Sequence, residues 1–478
     1  MVLMSIVGTG GGIREASEAL AEGVYGGMNV PSVGPFSEQY GGGAGIGSGI
    51  SSLPGSGLLG APAGWEGTRI VPMISVSEAY DTNVYFAPKT AGLQREDFVS
   101  TVAPGLSIQH NTRLYTATVS GSAVGTYYVN HPQLGYVGTN AAVSIGLTPF
   151  VARYFPGSTL ALSYGYSYTP TPPAFLTGGS QTAQSSASGA PADGSVADTY
   201  TRGLQLGRVN TTSHRGGIAG AYQLGPGLTM QANYGYAVMF FGSSPAQVQG
   251  TTGFRPVANN IATHSASAGP RYQPTAYDTL SLTYSYSSSS YGDNSGGTGS
   301  LGFSSHSATA GWGRKLSSAW TASLSGGASL VQVNSQNNAS DTITYNGSAM
   351  LSWSRGFTTA GINYSVGVYP NYLNAAGPLL SHNVSVFGTH RLSDQLSGTA
   401  GASVAENSTV GNAAQSNRSY QSYTANASLA YKLSLSLFAA LSYSYSLFEG
   451  PVGASGSAQQ ETQVSRHATT LTLVKYFQ

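Results

Sequence analysis

The sequence predicts an all-β fold: a transmembrane antiparallel up-and-down β-barrel of about 18 strands, within a range of about 16 to 20, preceded by a flexible Gly-rich N-terminal segment. Three observations carry that expectation. Large apolar and small hydroxyl residues alternate with period two along many segments. Short turns alternate with long polar connections. The composition fits neither a soluble domain nor a disordered chain. Only 8% of the 478 residues are Asp, Glu, Lys or Arg, where an ordinary globular chain carries about 25%. Disordered chains are poor in aromatics, yet this one holds 31 tyrosines beside 65 glycines. The net charge of +1 and the absence of a basic run argue against nucleic acid as a partner. With no cysteine there is no disulfide framework and no thiolate chemistry.

The alternation is plainest in LSLSLFAALSYSYSLF (Leu433–Phe448), where odd positions are mostly Leu or Tyr and even positions mostly Ser; Phe438 and Phe448 fall out of step. Leu160, Leu162, Tyr164, Tyr166 and Tyr168 repeat it, as do Leu228 to Val238 and the run Leu280, Leu282, Tyr284, Tyr286. Successive strand residues point to opposite faces, so each segment has one greasy and one polar face. In every segment aliphatics precede tyrosines. A bilayer explains that order, because Tyr collects at its interfaces and aliphatics fill the hydrocarbon. Leu160, Leu162, Leu282, Leu435, Leu437, Leu471 and Leu473 are the lipid-facing candidates.

Tight turns are expected near Asn111-Thr112, Pro156-Gly157, Gly225 to Gly227, Gln273 to Thr275, Lys315 to Ser317, Arg355-Gly356, Ser393-Asp394 and Tyr431-Lys432. Gly- and Ser-rich connections near 84–96, 130–137, 171–198, 242–256, 290–300, 335–339, 370–379, 408–417 and 449–461 lie between them. Arg and Lys cluster beside the turns, whereas Asp and Glu cluster beside the loops; avoidance of strand middles explains this as well as any electrostatic role. Residues 1–66 form a Gly/Pro/Ser-rich region, a tail or a plug, and the barrel spans 67–478. The opening MVLMSIVGTGGG does not display the charged start, apolar stretch and cleavage site of a signal peptide. The chain closes on LTLVKYFQ, a terminal strand with an aromatic next to last. That ending resembles the signal read by barrel-insertion machinery, so this machinery and outer-membrane lipid are expected partners, and a bacterial outer membrane the expected location.

ISVSEAYDTNVYFAP (Ile74–Pro88) and the stretch Asp97–Tyr128 that follows resemble the opening of a family of outer-membrane β-barrel proteins associated with exosortase and exopolysaccharide loci. The resemblance implies a barrel in an envelope that exports polysaccharide, and it brings no catalytic residues. Pro170–Asp198, the longest connection, resembles a porin constriction loop in place and length. It differs in chemistry, since its candidate residues Phe175, Asp193 and Asp198 include only two charges; a loose external loop is the plainer reading of its Ser/Ala/Gly composition.

The polar parity supplies a lumen lined by Ser281, Thr283, Ser323, Ser325, Asn363, Ser365 and Arg466, with Arg215 on the same parity. Such a wall exchanges hydrogen bonds with water and sugars and selects little by charge, although small polar residues also fill space without selecting. Eight scattered histidines show no metal-ligand spacing, and no nucleophile elbow or carboxylate pair stands out. Asp81-Thr82-Asn83 and Asp293-Asn294 read as turn formers before calcium ligands. No enzyme activity, metal or cofactor is expected. The expected function is a porin-like channel for small polar solutes or an exported glycan, with polysaccharide or small sugars as ligands and a homo-oligomer allowed. The alternative is a structural barrel anchoring a surface polymer or partner complex.

Overall fold

A computed structural model describes residues 66–84, 94–171, 209–241, 260–292, 301–334, 340–369, 378–410, 419–452 and 460–477. The expected N-terminal segment, and the loop bearing Phe175, Asp193 and Asp198, lie outside the described residues, as does Asp293. Eighteen strands run in chain order: β1 (Gly67–Asp81), β2 (Asp97–Asn111), β3 (Thr116–Tyr128), β4 (Tyr136–Gly146), β5 (Ser158–Thr171), β6 (Val209–Gly225), β7 (Leu228–Phe241), β8 (Asn260–Tyr272) and β9 (Asp278–Gly292), then β10 (Leu301–Lys315), β11 (Trp320–Asn334), β12 (Ser340–Arg355), β13 (Thr358–Tyr369), β14 (Leu379–Arg391), β15 (Leu396–Thr409), β16 (Ser419–Lys432), β17 (Leu437–Val452) and β18 (Gln460–Tyr476). Each strand pairs antiparallel with its neighbours in sequence, and β1 pairs with β18 from Met73↔Tyr476 to Asp81↔Ala468. The sheet is therefore a closed barrel with no free edge.

Closure gives the period-two pattern a geometric meaning. Side chains on the outside of a cylinder spread apart, and those on the inside crowd together. Leu282, Leu324, Leu441 and Leu471 are each at least half exposed, whereas Ser289, Ser329, Ser403 and Thr470 on the opposite parity are buried. The outer face thus presents an apolar belt, and hydrocarbon is the medium that covers it at no cost in desolvation. Phe438 and Phe448 fit the same rule: both point inward and are buried.

Eight connections lie at one rim, at 112–115, 147–157, 226–227, 273–277, 316–319, 356–357, 392–395 and 433–436, all but 147–157 short, and the other nine lie at the opposite rim. Three need glycine: Gly157, Gly227 and Gly356 have φ of 83°, 71° and 58°, left-handed values that other L-residues resist. Three others share one design. Lys315-Leu316-Ser317, Arg391-Leu392-Ser393 and Lys432-Leu433-Ser434 each begin a four-residue turn in which the Leu N–H donates to the carbonyl four residues on. In each, the Ser hydroxyl also accepts backbone N–H groups from inside the turn, as Ser317 does from Ala319 and Trp320. This explains one departure from expectation. Leu433–Ser436 continues the strand alternation in sequence but is a turn, so Leu435 stands exposed at the rim rather than on a strand, and Leu437 opens β17. A second departure is the β4–β5 connection, which holds a short helix α1 (Thr148–Val151) before Gly157, because Pro149 suits the first helical turn.

An Arg introduced at Leu282 is expected to destabilise the barrel by about 2–4 kcal/mol, and one at Thr283 far less. Urea unfolding in lipid vesicles checks this, and equal losses at both positions would reverse the face assignment.

Candidate functional site: the inner wall

The inner wall is built mainly from Ser, Thr, Asn and Gly. Ser281 and Thr283 lie on the face of β9 opposite Leu280 and Leu282, and Ser323 and Ser325 lie on the face of β11 opposite Leu324. Asn363 and Ser365 occupy β13 opposite Ile362 and Tyr364. Cross-strand hydroxyl bonds tie the wall together: Ser167–Ser213 at 2.7 Å, Ser285–Ser307 at 2.6 Å, Ser325–Ser348 at 2.8 Å and Ser403–Thr424 at 2.6 Å. One link spans three strands. Thr309 of β10 donates to Asn346 of β12 at 2.8 Å, and the strand between places Gly327 there, so no side chain intervenes. A Cβ at Gly327 would meet the Ala308 carbonyl oxygen.

A nearly buried ion pair of the inner wall lies at the β1–β18 seam near the long-loop rim. Arg466 forks onto Asp81, with Nε–Oδ2 at 2.9 Å and Nη2–Oδ2 at 2.6 Å, both side chains nearly buried. Asp81 also accepts the Asn83 N–H at 2.9 Å, and Asn83 reaches across the seam to the Ser465 carbonyl. Asp81 is thus committed to clasping the seam, which is the role its Asp-Thr-Asn turn plays in place of a calcium site. Directly opposite in the register stands Asp97, fully buried, whose carboxylate accepts the Asn130 N–H and meets His131 Nδ1 at 2.8 Å. His131 Nε2 lies 3.1 Å from the Gln94 carbonyl. Both ring nitrogens of His131 therefore lie against oxygen atoms of the wall and its loop. Sequence reasoning placed Arg466 on the inner parity and read Asp81 as a turn former, but it missed the pairing of Arg466 with Asp81 and of His131 with Asp97, which depends on register.

Two stretches of the wall depart from the hydroxyl pattern. Ala237, Ile261, Phe303 and Val331 form a buried inward cluster on β7, β8, β10 and β11. On β14 and β15, Asn383 and Asn407 are buried, and neither side-chain amide makes a hydrogen bond among the described residues; the Ser385 hydroxyl beside them makes none either. Buried amides of this kind call for a polar group against them. Among the described residues no group of three or more His, Asp or Glu is placed to hold a metal.

No protein-family model matches the chain, and no curated protein matches it. Solved structures do. Pseudomonas aeruginosa OccK3 (OpdO) is 11% identical, with 85% of this chain and 95% of that one covered and a TM-score of 0.41. OccAB4 of Acinetobacter baumannii is 12% identical over 86% of this chain and 98% of its own, with a TM-score of 0.43. The siderophore receptor PirA of Acinetobacter baumannii is 10% identical over 87% and 81%, with a TM-score of 0.44. At these values the likeness carries no argument about function, and the barrel rests on its own register.

Breaking the seam clasp by Arg466→Met is expected to cost about 3–5 kcal/mol, because it strands a buried carboxylate, while Asp81→Leu combined with Arg466→Met should recover most of that. A double-mutant cycle by chemical denaturation reads the difference. Gly327→Ala should also destabilise, and its signature would be loss of the Thr309–Asn346 coupling in the same kind of cycle.

Proposed function

We propose that this chain is a porin-like channel of a bacterial outer membrane, passing small polar solutes or an exported glycan through its lumen. One observation carries the reading: a closed barrel with an apolar outer face has an inner wall of hydroxyls and amides, and Arg466, the inward cation at the seam, is neutralised by Asp81. A wall of that kind offers hydrogen bonds to water and sugar hydroxyls and gives a passing ion little preference by sign. Ser281, Thr283, Ser323, Ser325, Asn363 and Ser365 are the residues assigned to solute contact. The mechanism is diffusion and uses no cofactor, metal or covalent step.

A second reading is favoured by one specific feature. Ile261, Val331 and Asn407 on the inner wall have no accessible surface, and Asn383 and Asn407 lack partners among the described residues. A barrel occupied at that level, anchoring a surface polymer or partner complex, would account for both.

Single-channel recording in planar bilayers separates the two, comparing the full chain with a version lacking residues 1–60. Steady, weakly ion-selective conductance in the full chain is the expected result. Conductance only in the shortened chain would make the N-terminal segment a plug, and silence in both would select the anchoring barrel.

A further inference from the structure

Five of the eight histidines occupy equivalent places on the outer face, each in the second strand of a hairpin joined by a long connection. In four of them the register sets the imidazole opposite the second Tyr of a Tyr-x-Tyr pair: Tyr166↔His214, Tyr236↔His264, Tyr286↔His306 and Tyr445↔His467. The rings lie 5.1, 4.7, 4.8 and 4.8 Å apart. The first Tyr of each pair reaches diagonally, and its hydroxyl lies 2.9, 2.9, 2.8 and 2.8 Å from Nδ1. Donation by the hydroxyl leaves the ring proton on Nε2, and Nε2 has no partner among the described residues. The fifth, His382, differs: Tyr364 meets its Nδ1 at 3.0 Å, Tyr345 its Nε2 at 3.2 Å, and Glu406 stands opposite on β15.

We infer that His214, His264, His306 and His467 bind the phosphate of lipid headgroups in the leaflet at the long-loop rim, through Nε2–H donors held in place by the Tyr-x-Tyr pairs. Continuity with the apolar belt identifies the occupant. Leu282, Tyr284, Leu471 and Tyr443 below these rings are exposed on the outer face and need hydrocarbon against them. The layer that follows hydrocarbon, at the depth where tyrosines collect, is the headgroup layer. A phosphate oxygen only accepts hydrogen bonds, and a fixed N–H donor is its complement. The residues paired with these histidines on their other side are Val238, Ser288 and Leu330 for the first three, and Thr82 follows the paired stretch beside His467; none is a carboxylate that would repel an anion. The inference rests on the barrel spanning a bilayer and is independent of whether it conducts.

The test uses the full chain in nanodiscs of equal phosphatidylglycerol and an uncharged glycolipid lacking phosphate, with retained lipids counted by native mass spectrometry. The wild type should hold phosphatidylglycerol over the phosphate-free glycolipid by about two- to five-fold, the factor expected of a net hydrogen bond. The combined His214→Phe, His264→Phe, His306→Phe, His467→Phe variant should return to the bulk ratio, whereas His382→Phe should keep the wild-type ratio. An unenriched wild type, or undiminished enrichment in the combined variant, overturns the inference. Collapse of the enrichment on adding inorganic phosphate also overturns it, by reassigning the site to a free anion. If the combined variant does not fold, imidazole nitrogen resonances of the wild type decide instead: a shift of Nε2 between phosphatidylglycerol discs and discs of an uncharged glycolipid lacking phosphate supports the site, and identical spectra refute it. Channel conductance should be unchanged by His382→Phe in every case.

Discussion

A bilayer interior offers no water to an unpaired N–H or C=O, so a sheet that crosses it must satisfy every backbone group within itself. All else in this barrel follows from that constraint. Seventeen of the ladders join strands adjacent in sequence, but the constraint is met only when β1 meets β18, and nine residue pairs complete the circle there. The seam is also where the wall places its buried ion pair. Arg466 and Asp81 add side-chain hydrogen bonds across it, and Asn83 and Thr82 add more to the backbone of β18.

Alternation of the two faces assigns each solvent its own chemistry. The outer face carries aliphatics at mid-height and tyrosines toward the long loops, and the inner face carries hydroxyls that bond one another across strands. Exposed pairs such as Arg113–Glu66 and Arg391–Asp394 sit at the turn rim, where water screens them and where each contributes little to stability. Beside that rim Phe150, Tyr154 and Phe155 stand exposed around α1, as interfacial aromatics do. Tyr-rich strand ends mark one interface and this aromatic group the other.

Strand number, antiparallel order and the two faces were legible in the chain because each depends on residues one or two apart. Loops were legible from Gly, Ser and Pro content. The reading failed where a local cue contradicted the period. Leu433 to Leu437 alternates as a strand does, yet the Lys-Leu-Ser opening shared with residues 315–317 and, with Arg in place of Lys, 391–393 makes it a turn; comparing those three segments would have revealed it. Proline at 149 concealed a helical turn inside what reads as a tight connection. The inner-wall ion pair and the Tyr–His pairs were out of reach for a different reason. Asp81 and Arg466 are separated by the whole barrel, and the histidines by loops of unequal length from their tyrosines, so only register brings them together.

The position of the clasp also bears on how the barrel forms. Every hairpin can zip as soon as its two strands exist, since its contacts are local. The β1–β18 seam joins residues separated by 385 positions, so its loop-closure entropy falls on a single late event. Until then both edges of an otherwise finished sheet are open to pairing with other chains. A buried fork between Arg466 and Asp81 holds the two edges in the correct register at that moment, since a slip by one residue would turn the arginine out of the lumen and into lipid. The pair is thus a proofreading contact for closure: its energy falls on the one joint where a misalignment would be costly and hard to undo.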